Sequence, residues 1–252
     1  MRISVNTPDL RQVNTLLFDL DGTLLQVPME RFIPAYLEGM AYHLGFNARA
    51  EIIAFARSVR GVIHAMLARR EADSTNEDFF LQGIEAATGI DGERVRNSLA
   101  AFCADGLNDL EGFVAPAPFL SSLLAKVRER RLELALATNP VFPMELIRAR
   151  MNWGGLTEDD FVLITSYENT RYCKPQPGYF EQLLDTLQRR PEECLMIGND
   201  TEHDLAAAEC GIATFLLDTW MIDRCNGDFS ADFRGSHDDL LSLLDRVGVD
   251  KA

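Results

Sequence analysis

No stretch of this chain approaches the roughly 18 consecutive apolar residues that a membrane-crossing helix requires, so no membrane partner is expected. The opening MRISVNTPDLRQVN has none of the apolar centre of a secretory signal, and a cytoplasmic location is expected. Basic residues are scarce: 24 Lys and Arg stand against 39 Asp and Glu, a net charge of −15. A protein that neutralises nucleic-acid phosphates needs the opposite surplus, so that partner is not expected either. The excess of acid favours solubility and can gather divalent cations. The five cysteines (Cys103, Cys173, Cys194, Cys210 and Cys225) are odd in number and show no C-x-x-C spacing. That speaks against a zinc site or a disulfide framework and for reduced thiols. Internal repeats and low-complexity segments are missing, and no strand signal occurs between about Val27 and Glu111.

What is present suffices for a sizeable core: 252 residues, 47% of them hydrophobic. TLLFDL (15–20) reads as a buried strand stopped by Gly22. Four helical stretches follow. The first carries Phe32, Ile33, Tyr36, Leu37, Met40 and Leu44 on one stripe, and Ser74 with Glu77 marks the start of the third as a capping box. After FVAPAP the rhythm changes. Strands at 132–138, 160–166, 193–199 and 212–218 alternate with helical segments, including HDLAAAECG, and HDDLLSLLDRVG closes the chain as a helix. This alternation predicts an α/β fold, a mainly parallel sheet covered by helices on both faces. Residues 1–26 and 113–252 form the predicted core domain, and 27–112 an inserted all-helical domain. The junctions, Gln26–Pro28 and Gly112–Pro118, are rich in turn residues.

Ligands of an open α/β sheet bind beyond the carboxyl ends of its strands. There the sequence places Asp19-Leu20-Asp21-Gly22-Thr23, Thr138-Asn139-Pro140, Lys174-Pro175 and Gly198-Asn199-Asp200 with Asp204. Taken singly, each has a bland reading: Asp-x-Asp-Gly as a turn, Thr138-Asn139 as a helix start. Four such marks at four successive strand ends point to one site. Two carboxylates there suit phosphoryl chemistry. Asp19 is the candidate nucleophile toward phosphorus, and Asp21, on the same side of an extended backbone, the candidate proton donor and acceptor. Gly22 lets the chain turn and backbone amides approach a phosphate.

FDLDGTL, LATN, CKPQPGYF and MIGNDTEHDLAAAECGI, in this order between residue 16 and about 217, resemble the motifs of the haloacid dehalogenase superfamily of phosphohydrolases. The resemblance implies a Rossmann-like core and makes the helical insertion a cap domain. It also implies a Mg²⁺ cofactor held by Asp19, the backbone carbonyl of Asp21 and an acid of the fourth motif. Thr138 and Asn139 would donate to phosphoryl oxygens, and Lys174 would supply positive charge. The fourth motif departs from the commonest G-D-x-x-x-x-D pattern. Either Asn199 ligates through its amide oxygen, or Asp200 takes the metal at the shorter spacing to Asp204. The charged ligand is preferred, with Asp204 orienting Lys174 or a metal-bound water.

The expected activity is hydrolysis of a small phosphomonoester through an aspartyl phosphate. Phosphomutase or phosphonate chemistry, dehalogenation and noncatalytic phosphate sensing stand behind it. Carbon–halogen cleavage needs neither an acid for an alcohol leaving group nor a metal for a phosphoryl group, so Asp21 and the fourth motif weigh against it. Within the insertion, Arg57, Arg60 and His64 share a helical face, with Arg49, Arg69 and Arg70 nearby. Two readings apply: attraction of an anionic leaving group, with Arg60 as a substrate contact, or an ordinary solvated face. Tyr36, Tyr42, Phe79, Phe80, Trp153 and Trp220 read as packing residues, and Cys173, beside Lys174, as an inert thiol.

Overall fold

The computed structural model describes residues 2–3 and 8–248. The apolar run before Asp19 forms β2 (Thr15–Phe18), after a short first strand β1 (Arg2–Ile3). Later come β5 (Glu133–Leu136), β6 (Leu163–Ile164), β7 (Cys194–Gly198), β8 (Ala213–Leu217) and β9 (Phe233–Gly235). The sheet order is β1-β9-β8-β7-β2-β5-β6, parallel throughout except for the β1 edge. Every residue of β2, β7 and β8 is buried, which is why these strands read as unbroken apolar runs instead of alternating ones. Helices α5 (Leu120–Arg130), α6 (Met144–Trp153), α7 (Pro177–Leu187) and α8 (His237–Leu244) flank the sheet. β2 lies between β5 and β7, so the chain order reverses at its two sides, where an open sheet leaves a crevice.

The register fixes what faces that crevice. Phe18 pairs with Leu136 on one side and Ile197 on the other. The Ala137 amide donates to the Phe18 carbonyl at 2.7 Å, and the Asp19 amide to the Ile197 carbonyl at 2.9 Å. Asp19, Thr138 and the Gly198–Asp200 segment therefore leave the sheet side by side.

Four helices are inserted after β2: α1 (Met29–His43), α2 (Arg49–Leu67), α3 (Asn76–Thr88) and α4 (Gly92–Asp105). Their shared core holds Phe32, Tyr36 and Met40 of α1, Phe55 and Val59 of α2, Ile84 of α3 and Leu99 and Phe102 of α4. Tyr42 does not join it and is 48% exposed. Both linkers meet in a two-stranded antiparallel ribbon of β3 (Leu25–Gln26) and β4 (Ala115–Pro116), at the junctions read from turn residues. Among the described residues no helix is long and apolar enough to cross a membrane.

Three local readings change. The third inserted helix is capped one residue later than the Ser74/Glu77 pattern: Thr75 accepts from the Asp78 amide. That shift frees Asn76 to plug into the core. It is fully buried, its backbone amide reaches the Thr170 carbonyl at 2.8 Å, and its Nδ2 donates to Thr170 Oγ1 at 3.1 Å and the Tyr172 carbonyl at 3.2 Å. HDLAAAECG is not an α-helix but a 3₁₀ segment, Leu205–Cys210, with i→i+3 bonds such as Ala207 N to Asp204 O. Strands β1, β9, β3 and β4, two or three residues each, are too short to show a period. Because Asn76 leaves several buried acceptors unmatched when truncated, Asn76→Ala should lose about 2 kcal/mol of stability. The check is a lower urea midpoint at unchanged slope.

Candidate active site

The polar residues at the strand ends enclose a cavity of about 250 Å³, lined by Asp19, Asp21, Thr138, Asn139, Lys174, Asn199, Asp200 and Asp204, with Met29 and Ile33 of α1 above them. A larger hollow of about 780 Å³ runs along Gln176–Glu181 and Thr201–Glu209, and neither Asp19 nor Lys174 lines it.

At the centre Lys174, only 1% exposed, donates to Asp19 Oδ1 at 2.8 Å and to Asp204 Oδ1 at 2.6 Å. Burial opposes the ammonium charge, but the two carboxylates outweigh it and raise the lysine above its ordinary pKa. Burial pushes the Asp19 carboxyl up to about 7 against the pull of Lys174, and the charge of Asp204 acts in the same direction as burial. Asp19 Oδ2 makes no hydrogen bond among the described residues. Asp204 has both oxygens engaged, since Oδ2 accepts the Asp200 amide at 2.9 Å. Only glycine at 198 allows this approach: a Cβ there would stand 2.1 Å from Asp204 Oδ2.

Asp200 sits at the cavity wall, its Oδ1 accepting the amides of Glu202 and His203 and its Oδ2 the Arg224 Nε at 2.6 Å. Burial works against this charge, yet the His203 amide and Arg224 hold the carboxyl below its ordinary range. His203 also lines the cavity, and burial lowers its imidazole pKa against the pull of Asp200. Asp21 is paired with Arg150, a fully buried arginine of α6. Four carboxylates thus face three cations, leaving one negative charge uncompensated.

The structure brings Asp19, Asp21, Thr138, Asn139, Lys174, Asn199, Asp200 and Asp204 together around one cavity and places Gly22, Thr23 and Arg60 outside its lining. Thr23 is fully buried, with its hydroxyl donating to Asn199 Oδ1 at 3.4 Å. The Gly22 amide is engaged by the Leu25 carbonyl at 2.7 Å. The role of Gly22 is the turn itself: φ is +83°, and a Cβ would collide with Asn199 Nδ2 at 2.2 Å. The Asn199 side chain is tied between the Thr23 hydroxyl and the Trp220 carbonyl (2.6 Å). Asp204 accepts from Lys174 Nζ with one oxygen and from the Asp200 amide with the other. Arg60 lines a separate hollow of about 550 Å³ with Leu37, Tyr42, Arg49 and Ile53, apart from every strand-end residue. Burial pushes the Cys173 thiol up to about 12, in keeping with an inert cysteine.

Three charged or titratable site residues escaped sequence reading: Arg150, His203 and Arg224. Arg150 had a signal. It falls on the apolar stripe of α6, three and four residues after Ile147 and Leu146 and beside Met151, where a charge is out of place.

The family model described as haloacid dehalogenase-like hydrolase matches residues 13–211. A pyrophosphatase PpaX from Anoxybacillus flavithermus is 26% identical over 92% of this chain and 97% of its own. A ribulose-1,5-bisphosphate 5-phosphatase from Halopiger xanaduensis is 30% identical over 90% of this chain and 98% of its own. Among solved structures, a phosphatase of the same superfamily from Thermococcus onnurineus superposes with a TM-score of 0.58 at 19% identity, covering 94% of this chain and all of that one, a likeness of fold. With these matches over the motifs and the geometry that unites them, the chain belongs to the haloacid dehalogenase-like hydrolases and is an enzyme of their phosphatase type.

Proposed function

We propose that this chain is a Mg²⁺-dependent phosphohydrolase that acts on a small phosphorylated ester through an aspartyl phosphate on Asp19. The observation that carries the reading is the Asp19–Lys174–Asp204 chain beside Asp21 at adjacent strand ends. Lys174 holds Asp19 Oδ1, so Oδ2 is the oxygen free to form the bond to phosphorus. As the phosphorus–oxygen ester bond breaks, a proton on Asp21 passes to the leaving oxygen and the alcohol departs. The Asp21 carboxylate then takes a proton from water, the water oxygen bonds to phosphorus, and Asp19 is released. Lys174 and Thr138 meet the phosphoryl oxygens where negative charge gathers. The names of both relatives, a pyrophosphatase and a bisphosphate phosphatase, support a small phosphorylated substrate.

The donor set fits Mg²⁺. The Asp19 and Asp200 carboxylates and the Asp21 carbonyl are hard oxygen donors. Bound by Asp19, Asp200 and the Asp21 carbonyl, Mg²⁺ would convert the single surplus negative charge of the site into a positive one facing the phosphate. The helical block of residues 27–112 acts as a cap: α1 contributes Met29 and Ile33 to the cavity and excludes water from it.

The test is phosphate release from 4-nitrophenyl phosphate. Release should require Mg²⁺, stop with excess EDTA and return when Mg²⁺ is restored, while 2-chloropropionate yields no chloride. Equal release without a divalent ion would contradict the metal assignment.

A further inference from the structure

Helix α3 starts against the core. The amides of its first two residues, Asn76 and Glu77, have no partner within the helix and donate to the Thr170 and Tyr167 carbonyls, both at 2.8 Å. Those carbonyls lie on the loop that leads to Lys174. The Asn76 side chain reaches further. It is fully buried, and its Nδ2 lies 3.1 Å from Thr170 Oγ1, 3.2 Å from the Tyr172 carbonyl and 3.4 Å from the Pro140 carbonyl. Tyr172 stands two residues before Lys174, and Pro140 directly follows Thr138 and Asn139. One amide of the helical block therefore spans the two loops that present Thr138 and Lys174 to the cavity. Nearer the site, Asn139 Nδ2 donates to the Lys174 carbonyl at 3.3 Å and joins the same two loops.

Asn76 is a poor packing group, because its Oδ1 is buried with no hydrogen-bond partner among the described residues and burial of such an oxygen costs stability. What asparagine supplies there, and an apolar side chain does not, is a pair of N–H groups directed at carbonyls of two different loops. We propose that Asn76 is a positioning residue through which the helical block sets the spacing of the Thr138–Asn139 and Lys174 loops, and so the fit of the cavity to a transferring phosphoryl group. The inference rests on the reading of Thr138 and Lys174 as the groups that meet the phosphoryl oxygens. Asn76 does not line the cavity, so its effect passes entirely through the two loops.

The experiment compares Asn76→Ala with Ile84→Ala. Ile84 lies two turns along α3 in the core of the helical block, and its truncation should lower the urea midpoint at least as far. Both variants are assayed on 4-nitrophenyl phosphate at a temperature where each is folded. Asn76→Ala should lower kcat about 30-fold, since misplacement of a reacting group by about 1 Å costs up to about 100-fold. It should raise the inhibition constant of orthovanadate, which adopts the five-coordinate geometry of phosphoryl transfer, by about the same factor. Ile84→Ala should leave both constants at wild-type values. Asn76→Ser, which keeps one donor in the cleft, should follow Asn76→Ala at smaller amplitude and decides the matter if the alanine variant does not fold. A merely structural asparagine lowers the midpoint alone, so constants in the folded Asn76 variant equal to those of Ile84→Ala would overturn the proposal. Lys174→Met run in parallel separates the inference from the reading beneath it. Wild-type kcat in Lys174→Met refutes the role of Lys174 and the proposal with it, whereas a loss there with none in the Asn76 variants rejects Asn76 alone.

Discussion

Asp19→Asn should lower kcat for phosphate release by at least about 10⁴-fold, with Mg²⁺ and substrate saturating. The amide keeps the size of the side chain and one acceptor for Lys174 Nζ, so the far-ultraviolet circular dichroism and the thermal midpoint should stay close to wild type. What is lost is the anionic oxygen that forms the bond to phosphorus. The loss should be the same for alkyl and aryl phosphates, because attack on phosphorus precedes departure of either leaving group. A variant retaining a tenth of wild-type activity would place the nucleophile elsewhere.

Lys174→Met should damage both activity and the fold. Among the described residues its ammonium is the sole side-chain partner of Asp19 and shares Asp204 only with a backbone amide, and the three groups lie buried together. Removing the cation leaves two carboxylates close together in a site with little water. Breaking a buried pair in this way costs about 3–5 kcal/mol. Loss of a charge facing the transferring phosphoryl group costs a further factor of about 10²–10³ in kcat. Urea denaturation and steady-state kinetics on the same preparation read the two effects separately. A variant with wild-type stability would mean that Lys174 does not hold the carboxylates in solution.

These outcomes show why some of the site could be read from sequence and some could not. β2, β5 and β7 are buried on both faces, so they stand out as apolar runs, and the polar residues at their ends mark the crevice. Asp19, Asp21 and Asp200 could be singled out as candidates for that reason. At both linkers of the helical block Gly and Pro break the neighbouring patterns, and that was the signal the sequence offered there. The direction of the Thr23 hydroxyl was not legible, because position in a motif says nothing about which way a turn points a hydroxyl, and here the turn sends it inward to Asn199. Which hollow Arg60 borders was not legible, because a basic helix face does not carry that information. Arg224 pairs with Asp200 across 24 residues and Arg150 with Asp21 across 129, and pairings of that range leave no local period. For Arg150 only the misplaced charge on the apolar stripe of α6 was available.

The central claim is covalent: phosphorus passes through Asp19. Its most direct test is rapid acid quenching of Asp21→Asn during turnover of 4-nitrophenyl phosphate, followed by mass analysis of peptides. Nitrophenolate leaves without a proton, so the first half-reaction proceeds, while the second lacks the base that activates water. The account predicts an adduct of one phosphoryl group on the peptide carrying Asp19, absent from Asp19→Asn and cleared slowly on dilution. Free phosphate accumulating with no phosphorylated peptide, or an adduct on a residue other than Asp19, would contradict it.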